Sequence, residues 1–208
     1  MTRHLFHPLI AVLWAAALMA PPSGRAAESG DCVRGNPSAP IKIEVFSDFQ
    51  CPACQAFYQR SIRNVLTEYA DTGKACLVYR EFPLQMHSHA REAAHYGHAA
   101  MRVGLPQWVQ VADALFDNQQ TWGASGDIES VIAKVLSQSD LDALHQELGN
   151  KASLDSAIDA DIKLGIQRGV NSTPTFFVTA NGKTQKVAAA VQYPILKRYL
   201  DSQLVKGN

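Results

Sequence analysis

"FQCPACQAF", residues 49–57, sets Cys51 and Cys54 at Cys-x-x-Cys spacing. That spacing alone suits three chemistries: a structural disulfide, half of a metal site, or a redox couple. Its surroundings separate them. Upstream, "IKIEVFSD" (41–48) alternates, with Ile41, Ile43 and Val45 on one face and Lys42 and Glu44 on the other, the period of a strand. From Pro52 onward the period becomes helical. Tyr58, Ile62, Val65, Leu66 and Tyr69 share one face, and Gly73 supplies a stop. "ACLVYREF" (75–82) reads as a second strand, ended by Pro83. Strand, helix, strand predicts a right-handed βαβ unit with parallel strands, and the Cys pair sits at its first corner.

That corner has a chemical consequence. Pro52 suits a first helical position, so Cys51 falls at the helix N-terminus. Unpaired N–H groups and the helix dipole stabilise an anion there, and thiolates in such motifs have pKa values lowered from ~8.5 to roughly 3.5–7.5. Cys54 lies one turn further in and is the more sheltered sulfur. The expectation is that Cys51 is the attacked sulfur and Cys54 the resolving one. Pro52 brings no N–H and Ala53 no side-chain donor, so the thiolate relies on the helix backbone. A low thiolate pKa stabilises the reduced form and makes the disulfide the stronger oxidant. A zinc site needs two further ligands as a second Cys pair or paired His. Cys32 and Cys76 form no such pair, and helical His95 and His98, with His87 and His89 nearby, more simply read as solvated or hydrogen-bonded side chains. The reading calls for no metal and no cofactor.

The chain has 208 residues, 47% hydrophobic and 18% charged, enough for one globular domain or a domain with an insertion. Its formal net charge of zero gives no reason to expect a nucleic-acid or anionic-membrane partner. At the N-terminus, Arg3 precedes the apolar run "LIAVLWAAALMA" (9–20), which Pro21, Pro22 and Gly24 break. This has the tripartite form of a secretory signal over residues 1–26, with cleavage after Ala26; a retained membrane anchor is the alternative. Residues 27–40 are then an N-terminal extension, and 41–208 the folded domain. Export also means that disulfides persist.

Beyond the second strand comes a helical block. An Ala-rich helix spans 88–103, and Pro106 opens another carrying Trp108, Val111, Ala112, Leu115 and Phe116 inward. Asp127 caps a helix bearing Ile128, Val131, Ile132, Val135 and Leu136; Ser139 and Asp142 form a capping box; a long helix runs from about Ser153 to Arg168. Strand returns at "TPTFFVTA" (173–180), "NG" (181–182) makes a hairpin, "KTQKVAA" is its partner, and a last helix turns Ile195, Leu196, Tyr199, Leu200 and Leu204 inward. The order is β-α-β, helical block, β-β-α. Sheet lies on both sides of the block, so the block, about 86–168, is an insertion into an α/β fold.

Three stretches carry a resemblance: "GNPSAPIKIEVFSDFQCPACQAF", "LVYREFPL" with "HSHAREAA" behind it, and "GVNSTPTFFVTANG". In this order, over roughly residues 34–205, the chain resembles the DsbA-like thiol-disulfide oxidoreductases of the thioredoxin superfamily. The resemblance implies a thioredoxin fold with a helical insertion. It implies a cis Thr173–Pro174 bond stacked against the Cys51 and Cys54 sulfurs, with the Thr173 backbone pairing an extended substrate as an added strand. It further implies folding exported proteins with free thiols as substrates and a quinone-linked membrane protein as reoxidant. One place departs from the pattern: relatives carry an acid six residues before the first Cys, and here that residue is Val45. Glu44, one residue off, faces the other way and is expected to be partly solvated. His87 and His89 are left as stand-in proton acceptors for Cys54.

Parallel strands put Cys32 and Cys76 together at the sheet edge opposite the motif, so a Cys32–Cys76 bridge is expected, with two free thiols as the alternative. The predicted function is an exported oxidase that donates the Cys51–Cys54 disulfide, acting in the periplasm or otherwise outside the cytoplasmic membrane. An isomerase or reductase of the same fold is the nearest rival. The related isomerases carry an N-terminal dimerisation domain, for which 27–40 is too short. A metal-handling thiol binding protein is the rival from another class.

Overall fold

The computed structural model describes residues 31–206. The secretory-signal reading of 1–26 lies outside them.

A five-stranded mixed sheet has the order β1-β3-β2-β4-β5. Strand β1 is Arg34–Gly35, β2 Ile41–Ser47, β3 Ala75–Glu81, β4 Thr175–Ala180 and β5 Lys183–Val187. β2 and β3 run parallel in register from Ile41↔Ala75 to Ser47↔Glu81. β4 pairs antiparallel with β2, so its first residues lie at the end where β2 finishes, with Thr175 opposite Phe46. This pairing brings the Thr173–Pro174 corner to the Cys motif across a sequence gap filled by the insertion. Asn181 (φ 52°) and Gly182 (φ 71°) both occupy the left-handed region that a two-residue hairpin turn requires.

The helix after β2, α1, is one rod over residues 52–70. It is α-helical at Pro52–Phe57 and Arg63–Val65 and widens into π turns at Tyr58–Ile62 and Leu66–Ala70. The insertion contributes α2 (Ala90–Val103), α3 (Leu105–Asp117), α4 (Gln119–Ser125), α5 (Glu129–Ile132), α6 (Gln138–Leu148) and α7 (Lys151–Gln167). The C-terminal helix α8 is Tyr193–Lys206. The main core joins Ile41, Ile43, Val45, Leu77 and Tyr79 of the sheet to α1, α8 and the insertion. Phe116 and Trp108 dock the insertion: Phe116 lies 5.0 Å from Phe49 and 4.6 Å from Tyr58, and Trp108 lies 5.1 Å from Tyr79, centroid to centroid. On the opposite face, Phe46, Phe82 and Phe177 pack with Val170 and side chains of α7.

Several local expectations are corrected. Glu44 is buried, because α7 and the segment after it cover its face of the sheet. It pairs with Arg80 at 2.8 Å and with Arg168. The capping residue of α6 is Ser137, in an extended conformation, whose Oγ accepts from the Asp140 N–H; Ser139 and Asp142 already lie inside the helix. The helix after Asp127 is a single short turn region, Glu129–Ile132. Asp127 Oδ1 does accept from the Ser130 N–H, but Val135 falls beyond the helix and is 40% exposed. Ile195 is 55% exposed, while Leu196 and Leu200 hold α8 to the core. Strand β1 and helix α4 are additions to the expected elements. β1 is short and exists because it extends β3, with Gly35 opposite Cys76.

Candidate active site

Cys51 is the N-cap of α1, in extended backbone (φ −78°, ψ 122°), with Pro52 as the first helical residue. Its N–H donates to the Asp48 carbonyl, and its own carbonyl accepts from the Gln55 N–H. Both motif cysteines are free thiols. Cys51 is 7% exposed and Cys54 1% exposed, so the two sulfurs are unequal in access.

They are unequal in acidity as well. Cys51 is lowered from 9.0 to about 5. The hydrogen bond from Cys54 is the largest cause; burial opposes it, and Thr173 and the backbone N–H groups of Cys54 and Ala53 add to it. Those N–H groups are the open end of α1. Cys54 is pushed well above 9.0, first by burial and then by its bond to Cys51, with Ser47 partly offsetting. One sulfur is stabilised as an anion by the hydrogen bond that keeps its neighbour protonated.

Thr173–Pro174 is a cis bond, and the Thr173 carbonyl lies 3.5 Å from Cys51 Sγ. The Thr175 hydroxyl donates to the Ser172 carbonyl at 2.7 Å and fixes this corner. The structure thus brings Cys51, Pro52, Ala53, Cys54, Thr173 and Pro174 to one end of the sheet. Cys32 and Cys76 are joined as a disulfide, with Cα atoms 5.4 Å apart, at the other end.

Residues that sequence reasoning missed hold the corner in place. Asp48 is buried; its Oδ1 accepts from the Gln50 N–H at 2.7 Å, and its Oδ2 meets the Leu84 N–H at 2.8 Å and His87 Nδ1 at 2.7 Å. An Asp directly after a strand and two residues before an accepting turn is a readable signal, that of an Asx turn. Gln50 receives the His89 N–H and donates to the Gly123 carbonyl at 3.0 Å. Gln119 of α4 donates to the Phe49 and Cys51 carbonyls. No sequence pattern separates Gln119 from its exposed neighbour Gln120. The four histidines do not converge: His87 meets Asp48, the His89 ring lies against Gly126, His95 meets Asp155 at 2.8 Å, and His98 lies 3.2 Å from Asp161. Among the described residues, no group of three or more His, Cys, Asp or Glu side chains is placed to hold a metal ion.

A family model described as thioredoxin matches residues 27–202. The chain belongs to the thioredoxin family. Its thioredoxin fold carries the helical insertion between the two halves of the sheet, as in DsbA-like proteins. The structure of alpha-DsbA1 from Wolbachia pipientis matches at TM-score 0.70 and 24% identity, over 83% of this chain and 90% of that one. BdbD from Bacillus subtilis, in its oxidised form, matches at TM-score 0.66 and 21% identity, over 86% and 98%. By sequence, the "probable disulfide bond formation protein D" of Bacillus cereus is 23% identical over 176 residues, 83% of this chain and 78% of the relative. An Na(+)/H(+) antiporter NhaA 1 of a Mycobacterium species is 31% identical over 163 residues, but the matched part is 24% of its length.

Proposed function

We propose that this protein is an exported protein-disulfide oxidoreductase that donates the Cys51–Cys54 disulfide to thiols of folding proteins. The observation that carries this is the split between the sulfurs: Cys51 at about 5 and Cys54 well above 9.0. A couple whose attacked sulfur is so stable as a thiolate favours its reduced form, and its disulfide is correspondingly oxidising. The similarity to disulfide bond formation protein D supports the same class of reaction.

A substrate thiolate attacks Cys51 Sγ. The Cys51–Cys54 bond breaks, Cys54 leaves with the electron pair, and it takes a proton. A second substrate thiolate then attacks the substrate sulfur of the mixed disulfide, and Cys51 leaves as a stable thiolate. The substrate is oxidised and the couple reduced by two electrons. Thr173, 3.5 Å from Cys51 Sγ through its carbonyl, is the backbone edge on which an extended peptide would lie, with Pro174 beside it. The proposed boundaries are a secretory signal at 1–26, an extension at 27–40, and a thioredoxin-like domain at 41–208 with its insertion at about 86–168. The proposed location is the periplasm or another compartment outside the cytoplasmic membrane, with a quinone-linked membrane protein as reoxidant. Among the described residues no helix is long and apolar enough to cross a membrane.

Equilibrating the protein with glutathione tests the direction of electron flow. The expected couple is far more oxidising than that of thioredoxin, about −270 mV. A value near thioredoxin's overturns the oxidase reading in favour of a reductase. A Cys54→Ala variant should accumulate mixed disulfides on Cys51.

A further inference from the structure

Three consecutive residues, Phe49, Gln50 and Cys51, are each hydrogen-bonded to α4. The Gln119 amide donates to the Phe49 carbonyl at 2.6 Å and to the Cys51 carbonyl at 3.0 Å. One turn later in α4, the Gly123 carbonyl accepts from the Gln50 amide at 3.0 Å. Two further amides tie the start of α1 to the end of α3. Gln55 donates to the Phe116 carbonyl at 2.5 Å, and Gln59 donates to Asp117 Oδ1 at 2.9 Å. The insertion thus meets the motif through a row of amides as well as through the Phe116 ring. α4 is itself anchored: the buried Trp122 donates from Nε1 to the Leu115 carbonyl at 2.6 Å, and Gln119 is 5% exposed.

What this platform holds is the N-cap of α1. An N-cap residue keeps extended backbone angles, which turn its side chain back toward the N–H groups of the second and third helical residues. Cys51 has those angles, and the second and third residues are Ala53 and Cys54. Their N–H groups are among those that lower the Cys51 pKa. The sulfur keeps that support only while the backbone at Cys51 keeps its conformation. Within the motif, the Cys51 N–H is held by the Asp48 carbonyl and the Cys51 carbonyl by the Gln55 N–H. Gln119 is the side chain that grips the same segment from outside, at both Phe49 and Cys51.

We propose that Gln119 is a positioning residue for Cys51: from α4 it holds the motif backbone so that the attacked sulfur stays at the open end of α1, and the insertion thereby sets how oxidising the couple is. This rests on Cys51–Cys54 being a redox couple. Gln119 touches no reacting atom and exchanges no proton or electron. Without it, Cys51 turns more freely, its thiolate is less stabilised, and the disulfide is a weaker oxidant.

The test measures two quantities in Gln119→Met: the midpoint of the thiolate ultraviolet absorbance, and the equilibrium constant for reduction of the disulfide by glutathione. Met has a similar length and donates nothing. The midpoint should rise by about 1 pH unit and the equilibrium constant should fall about tenfold, the two being the same free energy. Leu200→Ala, a cavity in the core beneath α8, should lower stability and keep the midpoint near 5. Gln119→Met with both quantities unchanged overturns the proposal. So does an equal shift in Leu200→Ala, because the shift would then report lost stability and not lost position. Gln50→Met cuts the tie to Gly123 from a half-buried position and should shift both quantities in the same direction. If Gln119→Met does not fold, an unshifted Gln50→Met overturns the proposal. An unmodified disulfide inert to dithiothreitol overturns the redox reading itself, and is distinct from a reactive one that Gln119→Met leaves unchanged.

Discussion

The Gln119 side-chain amide, carried by α4 of the insertion, donates to the Phe49 carbonyl at 2.6 Å and to the Cys51 carbonyl at 3.0 Å. An element with no part in the sheet thus holds the backbone of the attacked cysteine. Gln119→Ala removes the side-chain donor from the buried Phe49 carbonyl and leaves the Cys51 carbonyl with the Gln55 N–H alone. The expected cost is about 1–3 kcal/mol in denaturant unfolding, against less than about 0.5 for the exposed neighbour Gln120→Ala. Equal effects at the two positions would show that the clamp carries no weight.

The Cys51 thiolate makes the reduced protein's stability depend on pH. Its pKa is lowered in the folded state to about 5, against ~8.5 for an unfolded thiol. The stabilisation is therefore complete above pH ~8.5 and fades as pH falls toward 5. Cys54, raised in the folded state, adds nothing well below pH ~8.5, but near and above that pH the unfolded thiol ionises while the folded one does not, so there it opposes the gain. The oxidised protein lacks the titration. Unfolding of the two forms at several pH values should show the reduced form gaining on the oxidised one as pH rises toward ~8, by on the order of 1–2 kcal/mol at pH 7. The thiolate ultraviolet absorbance should titrate with a midpoint near 5. A midpoint near 8.5 would remove the basis of the oxidant reading.

The fold was legible because period and punctuation agree. Ile41, Ile43 and Val45 alternate, Pro52 starts a helix, and Asn181–Gly182 turns a hairpin, and each of these is a local rule that the packing does not oppose. The misses are cases that tertiary contact decides. Glu44 reads as half-solvated from alternation alone, because nothing local reveals that Arg80 and Arg168 will meet it under α7. Ile195 and Val135 have the right spacing but no surface to cover. The motif and its Thr-Pro corner were visible as residue patterns. Of the supports, Asp48 carries a local Asx-turn signal, whereas Gln50 and Gln119 carry none, since their roles depend on which loops the insertion brings near. His87, an expected stand-in proton acceptor for Cys54, lies against Asp48, and which strand residues stand side by side near the motif appears only once the strands are in register.

The Cys32–Cys76 disulfide closes a separation of 44 residues, containing all of β2 and α1. Replacing both cysteines by Ala should cost about 2–4 kcal/mol through the entropy restored to the unfolded chain. Gly35 lies opposite Cys76 at the end of the sheet away from Cys51, so the double variant should keep the Cys51 thiolate midpoint near 5. Denaturant unfolding and thiol titration of one preparation separate the two quantities. A shifted midpoint with unchanged stability would reverse this division between fold and site.

The ion cluster on the far face of the sheet predicts a different pH response. Burial alone would raise the pKa of Glu44, but hydrogen bonds from Arg168 and Arg80 hold it below 4.5. Arg168 also lies over the Phe177 ring, 3.7 Å from its centroid, so its guanidinium is fixed on two sides. Glu44→Gln keeps the shape and leaves two arginines short of a charge, at an expected cost of about 2–4 kcal/mol, less than a fully buried pair because the Arg168 side chain is 27% exposed. A carboxylate with a lowered folded pKa stabilises above its unfolded value and loses that contribution as pH falls through the folded one. The gap between the unmodified protein and Glu44→Gln should therefore be flat from about pH 6 to 8 and narrow below about 4.5. Unfolding midpoints measured down to the acid transition check this. A gap that persists undiminished in acid would mean that Glu44 acts by packing and not by charge.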